Sequence, residues 1–172
     1  GCHFENNTAL NYPVTKGERI EGFRDIDLIK IPLRDENGEL KSTSQLDTEV
    51  LNAITKTNEL GRHVVLHVMD QSKLGYQSPS EKLIQSLEQL DTLSMQIIVD
   101  ASQLRLDPKD IQNYLNKGCI VTITGSKYFT GPPYSGALIV PKNVSQTIQD
   151  VTIKIPKGLT NYYNRTDWPI AW

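Results

Sequence analysis

The chain has 172 residues, enough for one compact domain with a sizeable apolar core. Apolar residues make up 38% and charged residues 22%, and the formal net charge of −2 provides no general attraction to nucleic acid or to anionic membranes. No apolar run approaches the roughly 20 residues that span a bilayer, so no membrane segment is expected and any anion site has to be built locally.

Residues 1–25 read as irregular. The opening Gly-Cys-His-Phe-Glu-Asn lacks the charged-then-apolar layout of a leader. Cys2 and Cys119 are too few and too far apart for a disulfide framework, which points to a reducing, cytoplasmic setting. The alternating run at 26–33 predicts a first strand, and Asp35-Glu36-Asn37-Gly38 predicts a turn after it. Leu46, Val50, Leu51 and Ile54 recur at helical spacing and predict a helix over 44–60, capped by Thr43 or Ser44 and ended by Gly61. The run His63-Val64-Val65-Leu66-His67-Val68-Met69 is almost continuously apolar, the pattern of a strand buried on both faces. On that reading His67 and Met69 are core residues rather than ligands.

A second helix is expected at 80–93, carrying Leu83, Ile84, Leu87 and Leu90 on one face, with Pro79 near its start. Gln96-Ile97-Ile98-Val99-Asp100 is the third strand. A short helix follows at 108–115 with Asp107 as cap, then a fourth strand at 119–124. A Gly/Pro-rich loop separates this from a fifth strand at 136–140, which Pro141 ends. Beyond it the pattern weakens into an aromatic, irregular tail at 161–172. No second ligand pair accompanies Cys2 and His3, so no metal site is expected.

Strands alternating with helices of this length imply crossover units and a largely parallel sheet, an α/β fold. Ligands of such sheets bind beyond the carboxyl ends of the strands. Asp100 ends one strand and Lys127 lies just past the end of the next, so an acid and an amine are expected on the same edge. Gly-x-Gly-x-x-Gly and the Gly-Lys-Ser/Thr phosphate loop are both absent, which argues against a nucleotide-binding domain.

Two segments carry a resemblance: Ile97-Ile98-Val99-Asp100-Ala101-Ser102-Gln103, and Thr122-Ile123-Thr124-Gly125-Ser126-Lys127 continuing through Gly131-Pro132-Pro133 to Gly136-Ala137-Leu138. Together they resemble the core of class V aminotransferases and related fold type I enzymes that use pyridoxal 5'-phosphate. That family has an apolar strand ending in Asp-Ala-x-Gln/His, a strand leading to Ser-x-His/Ser-Lys, a Gly-Pro segment and a Gly-x-Leu strand. The resemblance is sharp over 97–140 and extends in layout over 26–142. It implies a three-layer sandwich with a largely parallel sheet, like the large domain of those transferases. It also implies roles: Lys127 for the Schiff base, Asp100 beside the pyridine nitrogen, Gln103 at the ring hydroxyl, and Ser126 and Thr124 at the phosphate. The implied substrate is an amino acid and the implied assembly a homodimer, with the 130–135 loop near its interface.

Three family features have no match here. They are a C-terminal small domain with an arginine for the substrate carboxylate, a Gly/Ser/Thr-rich phosphate turn upstream of the strands, and an Asn-x-x-Gly segment where Met69-Asp70-Gln71-Ser72 stands. The expectation is therefore a single domain over 1–172 that is a fragment of a longer transferase or lyase, binding the cofactor weakly or not at all alone. The alternative expectation is a non-catalytic relative that keeps the sheet as an interaction or assembly module.

Overall fold

The structure is a computed structural model and describes residues 26–90, 93–133, 135–152, 166 and 170. Its residues group into two compact units, one of them Ile29–Lys142. That unit holds three helices and four strands in the order α1 (Thr43–Glu59), β1 (Val64–Met69), α2 (Glu81–Glu88), β2 (Met95–Ala101), α3 (Pro108–Asn116), β3 (Ile120–Thr124) and β4 (Gly136–Ile139). The described part of the second unit contributes α4 (Lys142–Gln149), whose first residue belongs to the first unit.

Local chemistry accounts for the helix boundaries. At α1 the Gln45 N–H donates to Ser42 Oγ at 3.2 Å and the Ser42 N–H donates to Gln45 Oε1 at 2.8 Å, a reciprocal cap that satisfies two otherwise orphan donors. The cap is therefore Ser42, one residue before the expected Thr43, and Gly61 follows the helix at φ +68°. At α3 Asp107 accepts from the N–H groups of Lys109 and Asp110, the Asp110 side chain accepts from the Asp107 N–H, and Pro108 occupies the first helical position. Ser80 caps α2 and is itself held by Asp47, which accepts from its N–H at 2.9 Å. α2 stops at Glu88, short of the expected 93, because Gln89 and Leu90 turn tightly back onto Ser86 and Leu87.

The sheet has the order β1-β2-β3-β4. β1 and β3 each run parallel to β2, and β4 runs antiparallel to β3. The expected largely parallel sheet is therefore present, with an antiparallel last strand. Only the 125–135 loop joins β3 to β4, and a parallel return needs a crossover of about a dozen residues or more, usually through a helix.

The two crossovers, through α2 and α3, both step the same way across the sheet, from β1 to β2 to β3. Right-handed crossovers that keep one direction place their helices on one face. The packing agrees. Val68, Ile97, Val99, Ala101 and Val121 form the core with Ile84 of α2 and Tyr114 of α3. Val50 and Ile54 of α1 join Leu83 and Leu87 over Val64, Leu66 and Met95 on the same face. Helices α1, α2 and α3 thus form one layer on one side, so the described residues of this unit form two layers where three were expected.

Three local expectations are overturned. Residues 26–33 form no strand: Ile26 and Leu28 are exposed, and the segment's neighbour is a single bridge between Arg34 and Leu40 around the 35–38 turn. Among the described residues β1 pairs along its length with β2 alone, and Val65, His67 and Met69 are exposed on the uncovered face rather than buried. An apolar run does not distinguish an edge strand from a central one. α4 lies where the pattern weakened, and it has no buried residue to mark it in the sequence. The aromatic 161–172 stretch falls outside the described residues apart from positions 166 and 170.

Candidate active site

The candidate site lies at the carboxyl edge of β2 and β3. Asp100 stands in register between Met69 of β1 and Thr122 of β3. Its side chain is on the uncovered face, because its neighbours Val99 and Ala101 point into the core. The Asp100 Oδ1 accepts from the Ser102 N–H at 2.9 Å and from the Ser102 hydroxyl. The Leu104 N–H donates to the Ala101 carbonyl at 2.7 Å, with Leu104 at φ +48°, so the chain turns sharply after the acid. Gln103 sits in that turn, half-buried.

On the adjacent strand Thr124 is the last residue and pairs with Gly136. The following loop is closed by its own backbone. The Gly125 N–H donates to Ser135 O, the Gly131 N–H donates to Gly125 O, and the Thr130 N–H donates to Lys127 O. A Cβ on Gly131 would lie 2.9 Å from the backbone oxygen of Gly125, so this closure requires glycine at 131; one on Gly125 would lie 2.9 Å from Ser135 Oγ, which would have to turn away. Lys127 is exposed on this loop, and its amine has no hydrogen bond or ion pair among the described residues. Tyr128 and Phe129 beside it are also exposed, edge to face at 5.5 Å, with the Arg105 guanidinium 5.7 Å from the Tyr128 ring.

A shallow cavity of about 580 Å³ opens here, lined by Thr124, Ser126, Gly131, Pro133, Ser135 and Gly136. It brings Thr124 and Ser126 together as expected for the two hydroxyl positions. Asp100, Gln103 and Lys127 do not line it. The edge therefore collects all five residues at two neighbouring strand ends, but only two of them share a concavity.

A second polar cluster at this edge was only partly visible in the sequence. Asp70 directly follows β1 and is 5% exposed. The Tyr114 hydroxyl of α3 donates to its Oδ2 at 2.6 Å, and Gln77 Nε2 donates to the Tyr114 oxygen at 3.0 Å. Burial raises the Asp70 carboxyl above the ordinary aspartate range; the Tyr114 bond opposes this, and the negative charges of Asp110 and Glu81 add to it. The Tyr114 phenol is raised too, chiefly by burial and then by its bond to Asp70. Nothing in the sequence links Tyr114 to Asp70. Cys119 is fully buried and its thiol is pushed up to about 11, first by burial and then by Glu88.

Among the described residues no three His, Cys, Asp or Glu side chains gather as a metal site, and no helix is long and apolar enough to cross a membrane. Fold and site together define an α/β protein with an open, mostly parallel four-stranded sheet and an acid, an amine and two hydroxyls at its carboxyl edge. No protein-family model, curated protein or solved structure matches the chain.

Proposed function

We propose that the chain carries the ring-binding half of a pyridoxal 5'-phosphate enzyme that acts on an amino acid in a cytoplasmic setting. One observation supports this above the others: Asp100 ends β2, and the loop that carries Ser126 and Lys127 leaves the adjacent strand β3 at the same edge. The donor chemistry at this edge fits the ring half of the cofactor. The Asp100 carboxylate is held through one oxygen by Ser102, which leaves the second for a protonated ring nitrogen. Gln103 is a neutral donor in the next turn. Lys127 is a primary amine with no competing partner among the described residues, suited to covalent attachment. Thr124 and Ser126 offer hydroxyls for the phosphate in their shared cavity. Among the described residues no cation lines that cavity, and the Gly125 and Gly131 N–H groups are already spent inside the loop, so phosphate binding is weak.

When bound, the cofactor supplies an electron sink for carbanion chemistry. The protein's part is narrower. Asp100 keeps the ring nitrogen protonated, Ser102 fixes the orientation of Asp100, and Lys127 holds and releases the proton of its own amine. In an active dimer the 130–135 loop lies near the subunit interface.

The test is reductive trapping. The chain is incubated with pyridoxal 5'-phosphate, reduced with borohydride and mapped by mass spectrometry. Selective labelling of Lys127, at low occupancy and reduced in Asp100→Asn, is the expected result. Label spread evenly over the surface lysines would sink the assignment.

A second reading is an interaction or assembly module of the same fold. It is favoured by the exposure of Val65, Met69 and Leu138 on the uncovered sheet face.

A further inference from the structure

We propose that Asp70, Tyr114 and Gln77 form a proton-controlled latch that ties the 70–78 loop to α3. The inference does not depend on the cofactor reading. The loop leaves the carboxyl end of β1 and returns to it: the Met69 N–H donates to Ser78 O at 2.9 Å and the Ser78 N–H donates to Met69 O at 3.2 Å. Its tip is closed locally. Ser72 Oγ accepts from the N–H groups of Leu74 and Tyr76, the Ser72 N–H donates to Tyr76 O, and Gly75 turns at φ +80°. Leu74 is 79% exposed, and Lys73, Gly75 and Tyr76 are exposed with it.

The loop therefore adds little to the core, and its hold on the rest of the unit is polar. Among the described residues the side-chain hydrogen bonds that leave 70–78 are those joining Asp70 and Gln77 to Tyr114. Three backbone bonds join them, all at the base of the loop: the Met69–Ser78 pair and one from the Asp70 N–H to Asp100 O at 3.0 Å.

The latch responds to protonation because of what surrounds the carboxyl group. Asp70 is buried and, among the described residues, has no cationic partner. The titratable groups facing it are Tyr114 and Asp110 on α3 and Glu81 on α2. Lys117 is engaged with Glu81 at 3.6 Å. Tyr114 has one proton to donate and already gives it to Asp70. Ionising the docked Asp70 places a negative charge out of water, near two others, against two neutral side-chain donors, the Tyr114 hydroxyl at 2.6 Å and the Gln77 amide at 3.5 Å. Undocking the loop returns that charge to water.

The sign follows from linkage. The docked carboxyl titrates above its value in the open loop, so docking is stabilised at low pH and loses that stabilisation as pH rises through the docked value. The loop is held more firmly in mild acid than at neutrality. Because the Asp70 N–H bonds the Asp100 carbonyl, release of the loop also frees the end of β2.

The experiment is amide hydrogen exchange on the full chain from mild acid to neutral pH, each rate corrected for its intrinsic pH dependence. Protection of the Met69 and Ser78 amides is expected to fall as pH rises. Asp70→Asn is expected to abolish the slope and hold protection at its acid level. A flat wild-type profile, or an unchanged slope in the variant, overturns the proposal. If Asp70→Asn does not fold, carboxyl-carbon NMR of the unaltered chain decides it. A midpoint for Asp70 above the ordinary aspartate range, moving higher in Tyr114→Phe, supports the latch, and a midpoint at or below that range refutes it.

Discussion

The two faces of the sheet are built from the same strands and do different work. On one face Val68, Val99 and Val121 are fully buried against Ile84 of α2 and lie in one cluster with Tyr114 of α3. On the other, one residue along, Val65, Met69 and Leu138 are 51%, 40% and 61% exposed, and Asp100, Thr122 and Thr124 are only partly covered. The strands' residue types do not separate the faces, since valine and isoleucine occur on both. Crossover handedness separates them, because two successive right-handed steps in one direction put both helices on the same side. Stability is therefore concentrated on the covered face. The other face and the carboxyl edge are left exposed, and the proposed cofactor or partner binding would fall there.

The comparison can be broken most directly in the core. Ile84 is fully buried on the sheet-facing side of α2. Ile84→Ala is expected to cost about 2–5 kcal/mol, read as a lower midpoint in urea unfolding at an unchanged slope. A cost below about 1 kcal/mol would mean that this face is loosely packed. Cys119 reports the same face chemically. With its thiol buried and raised to about 11, alkylation at neutral pH should be negligible in the folded chain and rapid in denaturant. Fast alkylation under native conditions would contradict the burial.

The smallest effect is expected on the uncovered face. Leu138→Ala should change stability by less than about 0.5 kcal/mol. Sedimentation of the same variant bears on the choice of function. If the sheet serves as an assembly module, wild type should associate and the variant should do so less; identical monomeric profiles would leave that reading without support. A stability loss comparable to that of Ile84→Ala would show that something covers Leu138 after all.

Several features were legible in the residues because their causes are local. Ser42 with Gln45 and Asp107 with Asp110 are caps readable at three-residue spacing, although the first lies one residue earlier than the expected start. Leu46, Val50 and Ile54 announce α1 by their period, and the alternation of strands and helices announces the parallel pairs β1–β2 and β2–β3. That same alternation brings Asp100 and the Lys127 loop to one edge.

Other features depend on contacts distant in sequence and have no local signature. The exposure of His67 and Met69 follows from the helices α1 to α3 packing on the opposite face of the sheet. The reversal of β4 follows from how short and self-closed the 125–135 loop is. Asp70 reads as one more polar residue at a strand end until α3 brings Tyr114, 44 positions later, within 2.6 Å of its carboxylate. The sequence by itself determined helices α1 to α3, strands β1 to β4 and which strand ends carry an acid, an amine and hydroxyls, though not the absence of a strand at 26–33 or the presence of α4, because propensity, capping and periodicity act within a few residues. Only the tertiary structure decided which face is covered, which strand forms the edge and which carboxylate is buried, because burial is set by what the rest of the chain packs against it.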